Sequence, residues 1–429
     1  MYSATTLENG IRVVTEAMPE TRSTSVGIMI DAGPGDESLE TQGLAHLAEH
    51  MMFQGTGSRD SRAIALMMDE SGGQLGGFTT KDYTCYSATV MDDYTTYALD
   101  LMGDILLNSE FPEEALAREK NAILREIGGD MDIPSCRAHT ALKSHVWGSH
   151  VLGRPVAGDP EVVGRLTRED LIYFVHRHYL PNRMIVAAAG NVNHEDFLSQ
   201  VRDAFWRMMG EGDKRVSTPP RFRPGVCVEN MPVSQAYFSI GLGCLSYADE
   251  GRYLVHILNN ILGGGASSRL YSRLREEKGL VYQIGSEYHA YADGGILVIE
   301  GSTAPEYLIQ VLCLVLVELW QFASLDEPAS EEEVWKAKMQ IRAQHLIASE
   351  NSSTRMSRLA TQAFYFERFI SGEEILAAIE SVGCHDLGVY GGGPFLDALR
   401  QVAVSVVGPE GDETFTRQGI LELLSDFNG

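Results

Sequence analysis

Strand-like alternation opens the chain. In TTLENGIRVVTE apolar and polar positions alternate around the turn signal Asn9-Gly10, and the pattern predicts a hairpin followed by a further strand in TSVGIMIDAG. The period then lengthens to that of a helix over residues 44–53 and again over 61–71. GGQLGGFTTKDYTCYSATV returns to the Gly, Thr and aromatic content of strands joined by a tight turn. Long helices are expected over 94–108 and 112–128, and after further helical stretches MIVAAAGNV, 184–192, reads as a strand.

The segment GEGDKRVSTPPRFRPG, 210–225, combines Gly, Pro and charge with no apolar period, which marks a connector. Beyond it the same order of elements recurs. QAYFSIGLG is similar to the second strand, LVHILNNILGGG to the helix HLAEHMMFQG, and LRQVAVSVVGPEG to NRMIVAAAGNVNH. The spacing agrees as well, since Gly190 lies 140 residues after His50 and Gly408 lies 148 after Asn260. These features predict an α+β fold of two homologous halves, each an antiparallel sheet with helices packed on one side. The expected domains are 1–209, a linker over 210–226, and 227–429, and only the first half keeps residues for chemistry, because HILNN replaces the histidines and glutamate in the second.

Composition narrows the function. At 429 residues, 44% hydrophobic and 22% charged, the chain can bury large cores. An excess of 59 Asp and Glu over 34 Lys and Arg gives a net charge of −25, which opposes nucleic acid and anionic membranes and attracts cationic ligands or peptides. Six cysteines occur without a CxxC pair, so neither a thiolate metal cluster nor a disulfide framework is suggested. The opening MYSATTLENG turns polar too soon for a signal peptide, and the apolar stretch 308–320 is short for a bilayer. A cytoplasmic setting without a membrane partner is expected.

The candidate chemistry sits in GLAHLAEHMMFQGT, 43–56. Residues four apart on a helix lie one turn above each other, so His46 and His50 can aim their imidazoles at one point, which is bidentate metal geometry. Glu49 flanks the same face, where it could orient a water without being a ligand. The order HxxEH reverses HExxH and is the inverzincin signature. Chance also produces such a pattern, but two histidines and a glutamate beside Leu44, Leu47, Met51, Met52 and Phe53 are costly to desolvate unless paired or metal-bound. A third ligand could come from LAREKNAILREIGGD, where Glu119 and Glu126 are seven apart on one helix face, about 10 Å along the axis. Only one of them can readily ligate; the alternative is a solvated face shared with Arg118, Lys120 and Arg125.

HLAEH followed by Glu119 and Glu126, together with LENGIRVV, GGQLGGFTTKDYTCY, NAILREI, DIPSCRA and LGRPVAGDPEVVGRLTREDLIYFVHRHYLPNRMIVAAAGNV in order, resembles the pitrilysin family of zinc peptidases, which includes insulysin and the mitochondrial processing peptidase. The resemblance is to a small bacterial-type member and implies a zinc endopeptidase with one Zn2+ per chain. His46, His50 and Glu126 would be its ligands, Glu49 the general base, and Glu119 a residue supporting the site. It also implies a contribution from Arg275 and Tyr282 in GGGASSRLYSRLREEKGLVYQIGS, as hydrogen-bond donors to the substrate carbonyl. Spacing alone would leave these two as a solvated arginine and a core tyrosine.

The resemblance further implies substrate binding along the strand of Gly76, Gly77 and Phe78, although the family usually has Asn-Ala where this chain has Gly76-Gly77, which puts substrate grip in doubt. Small members pair two chains into a clamshell chamber that admits short or unfolded peptides, so a peptide substrate and a homodimer are expected, and the charge of −25 would favour basic peptides. A heterodimer with a paralogue, in which this chain is a silent or partner-dependent scaffold, is the competing expectation. The other ten histidines form no ligand pattern and are assigned to surface or core.

Overall fold

The computed structural model describes residues 1–213, 215, 218–411 and 414–428, so residues 214, 216 and 217 of the expected connector lie outside the described residues. The chain divides into two compact units, Met1–Ile127 with Pro155–Val216 and His345–Ile370, and Gly128–Arg154 with Ser217–Gln344 and Ser371–Gly429.

The first unit is built on six strands, β1 (Tyr2–Thr6), β2 (Arg12–Ala17), β3 (Ser23–Ile30), β4 (Gln74–Thr79), β5 (Thr84–Met91) and β6 (Met184–Gly190), in the order β1-β2-β6-β3-β5-β4. The opening hairpin is β1–β2, with Tyr2 opposite Glu16 and Thr6 opposite Arg12, and Gly10 supplies the positive φ of its turn. Strand alternation sends Val13, Val26 and Ile28 to one core with Leu47, Met51 and Ile105 from the helices Leu44–Met52 and Thr95–Asn108. The intervening residues Val14 and Met29 face the other way, onto Met356, Leu359 and Ala360 of the helix Ser352–Phe366.

In the second unit five strands, β7 (Gly225–Met231), β8 (Ala236–Cys244), β9 (Val281–Ala290), β10 (Gly295–Thr303) and β11 (Ala403–Pro409), run in the order β7-β11-β8-β10-β9. This repeats the order of β2-β6-β3-β5-β4, as the sequence repeat implies. One face packs Phe238, Ile240 and Leu242 against Leu258, Leu312 and Val315. The other packs Ile296, Val298 and Ala403 against Leu142, Val146 and Trp147 of the helix Pro134–Trp147, whose His139 Nδ1 also lies 2.6 Å from Glu300 Oε1.

Three expectations are corrected. The sheets are mixed, since β2–β6 and β7–β11 are parallel pairs. Helices cover both faces of each sheet, as the all-buried β6 requires. The units are also not contiguous in sequence: Pro134–Trp147 belongs with the second sheet and Ser352–Phe366 with the first. Periodicity gives a helix its apolar face and leaves open which sheet that face covers. The apolar stretch at 308–320 extends to Pro305–Ala323, 19 residues, long and apolar enough to cross a membrane by length and composition. Here its residues Leu308, Leu312, Val315 and Leu319 lie in the second unit's core, and its buried Glu318 is ion-paired with Arg269 at 3.4 Å and with Arg273.

Close approach fixes one glycine in the first sheet. A Cβ on Gly27 would lie 2.1 Å from Met356 Sδ. Gly27→Ala should destabilise the protein by about 1–3 kcal/mol, and Gly27→Ala with Met356→Ala should cost less than the two single substitutions summed. Chemical denaturation of the four variants checks the coupling.

Candidate metal centre

The helix Leu44–Met52 is held at its entry. Gly43 turns the chain with φ +89, where a Cβ would meet the Ala157 carbonyl oxygen at 2.6 Å, so glycine is required. Glu37 accepts hydrogen bonds from the backbone N–H groups of Gly43 (3.0 Å) and Ala45 (2.7 Å), supplying the acceptor and the negative charge that a helix N-terminus favours. Leu44, Leu47, Ala48, Met51 and Met52 are buried, which commits one side of the helix to the core and aims His46 and His50 at the opposite side.

Those two rings lie 4.7 Å apart between centroids, at 69°. The helix Glu113–Asp132 brings Glu126 to them, with Oε1 3.8 Å from His46 Nε2 and Oε2 3.9 Å from His50 Nε2. One donor atom from each of the three lies within 4.8 Å of the others. Glu119, two turns earlier, has Oε2 3.0 Å from His50 Nδ1. This contact fixes the ring and leaves Nε2 toward Glu126.

These groups fit a zinc ion by their chemistry. Two bonds of about 2.1 Å meeting tetrahedrally separate their donors by about 3.4 Å, inside the 3.8 and 3.9 Å from Glu126 to the two rings and the 4.8 Å that bounds the set. His46 Nδ1 is buried and has no hydrogen-bond partner. Burial, with His50 second, lowers the pKa of His46 to about 4, so the ring is a neutral nitrogen donor at pH 7. Two imidazoles, a carboxylate and a supporting carboxylate on one ring form a donor set suited to Zn2+.

Glu49 is only 8% exposed and accepts a hydrogen bond from Thr79 Oγ1 at 2.7 Å. Burial raises its pKa, and the Thr79 hydrogen bond acts in the opposite sense. Thr79 ends β4, the edge strand that also carries Gly76, Gly77 and Phe78. A Cβ on Gly77 would come 2.9 Å from Glu49 Cγ, whereas one on Gly76 would meet nothing within 4 Å. The glycine at 77 therefore gives Glu49 its room, and position 76 is open to a side chain. Phe78 is 41% exposed.

His46, Glu49, His50, Glu119 and Glu126 are thus one cluster, all within the first unit. Arg275 and Tyr282 form a separate pair in the second. Arg275 Nη1 donates to the carbonyl oxygens of Val281 (3.0 Å) and Tyr282, and the Tyr282 side chain is exposed at the start of β9. In the helix Arg252–Gly263, Asn259 and Asn260 stand where the sequence repeat puts Glu49 and His50.

Sequence profiles match both halves: the insulinase profile of peptidase family M16 over residues 12–160, and the profile of the peptidase M16 inactive domain over 165–341. The uncharacterised zinc protease YmxG of Bacillus subtilis is 33% identical over 382 residues, covering 89% of this chain and 93% of that protein. The chain belongs to peptidase family M16. A second member, an uncharacterised zinc protease of Streptomyces coelicolor, is 33% identical with 96% and 91% covered. The family fold extends to a solved M16 inactive domain from Pseudomonas fluorescens (TM-score 0.88, 20% identity, 95% and 98% covered) and to a Helicobacter pylori protease (TM-score 0.88, 19% identity, 95% and 100% covered).

Residue patterns missed the supports of this M16 centre. Glu37 lies eight positions before the helix residue Ala45 that it steadies, and Thr79 thirty positions after Glu49. Neither spacing is a local motif. Glu119→Ala should weaken zinc binding about 10- to 100-fold, because it frees the His50 ring, while His50→Ala should abolish stoichiometric binding. Competition against a chromogenic chelator checks both.

Proposed function

We propose that this M16 chain is a zinc-dependent endopeptidase acting on short or unfolded peptides. The convergence of His46, His50 and Glu126 beside a buried, oriented Glu49 carries the reading. The zinc-protease names of its family relatives support it. His46, His50 and Glu126 would hold the ion, with Glu119 steadying His50. When bound, zinc would polarise the scissile carbonyl and acidify a water. Glu49 takes the proton of the attacking water and delivers it to the leaving amine, and its raised pKa suits both halves of that transfer. Arg275 and Tyr282 donate hydrogen bonds to the carbonyl oxygen as negative charge develops on it.

The edge position of β4, next to Glu49, supports a peptide docking there as an added strand, its backbone paired with that of Gly76, Gly77 and Phe78. The net charge of −25 favours basic substrates. A homodimeric clamshell in a cytoplasmic setting completes the proposal. The scaffold alternative is less favoured, because the inactive-domain profile starts at residue 165 and covers Asn259 and Asn260 while leaving the cluster at 46–126 outside it.

Glu49→Gln should retain zinc and lose hydrolysis by about 10²-fold or more, since it removes the base and spares the ligands. Metal analysis and peptide turnover on one preparation check it; near-parental turnover would refute the role. Tyr282→Phe should lower kcat by about 10²-fold with little change in KM, read from steady-state kinetics.

A further inference from the structure

Arg215 comes from the stretch that sequence reads as a plain connector, yet one nitrogen of its guanidinium meets three acceptors. Nη2 donates to Asp31 Oδ1 (3.1 Å), Asp36 Oδ2 (2.9 Å) and the carbonyl oxygen of Asp82 (2.7 Å). Asp36 is held in turn by Arg183 Nη2 at 2.7 Å and by the Gly33 N–H at 3.1 Å, with His178 Nδ1 3.3 Å away. A Cβ on Gly35 would lie 2.9 Å from Arg215 Nη1, so the absence of a side chain there makes the seat for the guanidinium. The connector is tied down again three residues earlier, where Asn182 and Gly212 exchange two hydrogen bonds.

The three acceptors belong to the two loops that flank the metal cluster. Asp31 and Asp36 lie in the segment after β3, and the next residue, Glu37, holds the N-terminus of the helix carrying His46, Glu49 and His50. Asp82 lies in the β4–β5 turn, three residues past Thr79, the hydrogen-bond donor to Glu49. We infer that Arg215 is a positioning residue for catalysis: it clasps the loop that fixes the ligand helix to the turn that fixes Thr79, and so sets the placement of Glu49. This rests on the peptidase reading for its kinetic part alone. A cavity of about 560 Å³, lined by Gly35, Asp36, Arg183 and Arg215 among others, opens beside the clasp and leaves a path for a small cation to reach the seat.

The test has two arms. In hydrogen–deuterium exchange on metal-free protein, Arg215→Ala should speed exchange about tenfold in peptides covering 37–47 and 78–84 while leaving those of the second sheet unchanged. In peptide turnover, zinc-loaded Arg215→Ala should lose at least tenfold in kcat with KM within about twofold, Arg215→Lys should recover part of it, and guanidinium ion at tens of millimolar should restore Arg215→Ala without accelerating the parent protein. Unchanged exchange in both segments, or faster exchange spread evenly over the chain, overturns the clasp whatever the activity. A kcat loss that neither lysine nor guanidinium restores overturns its positioning role. A parent protein with no turnover strikes the peptidase reading and leaves the exchange arm to decide the clasp.

Discussion

Two imidazoles on one face of a nine-residue helix and a carboxylate on another helix are brought together around a point that one metal ion could occupy. Everything around the cluster serves that convergence. The apolar side of Leu44–Met52 fixes the helix against the sheet, Glu37 anchors its start, and Glu119 holds one ring. Burial, with His50 second, keeps His46 neutral, the protonation state in which a ring nitrogen can coordinate a metal. A half-buried set of donors of this kind stores binding energy for a metal that an unfolded chain cannot collect, so metal and fold stabilise each other.

Glu49 shows how the same scaffold prepares chemistry. It shares the helix with the ligands yet points at the edge strand, where Thr79 meets it and Gly77 makes room. The carboxylate is therefore oriented by a separate element from the one that positions the ligand rings. Separation of this sort lets a base be tuned without disturbing the metal. It also couples Glu49 to the β4–β5 turn, and through that turn to the connector.

Much of this was legible in the sequence because the signals are local. His46 and His50 are four apart and the strand alternation around Asn9-Gly10 marks the hairpin, whereas the spacing of Glu119 and Glu126 alone reads as a solvated face and only the family resemblance singles them out. The repeat of element order reappears as a shared strand order in the two sheets. What the sequence concealed is non-local. The helices Pro134–Trp147 and Ser352–Phe366 cover sheets built largely from the other half of the chain, and a helical period carries no mark of its partner. The parallel pairing of β2 with β6 joins strands about 170 residues apart, beyond any turn signal. Arg215 sits in a Gly- and Pro-rich stretch whose composition argues for slack, and only the placement of Asp31, Asp36 and Asp82 around it reveals a fixed point.

Anomalous diffraction at the zinc edge, from crystals of the zinc-loaded protein, bears most directly on the central claim. Zinc held by this cluster gives one strong peak per chain, in bonding distance of a ring nitrogen of His46, of His50 Nε2 and of a Glu126 carboxylate oxygen. A peak bound elsewhere, or none at this cluster under saturating zinc, would contradict that claim.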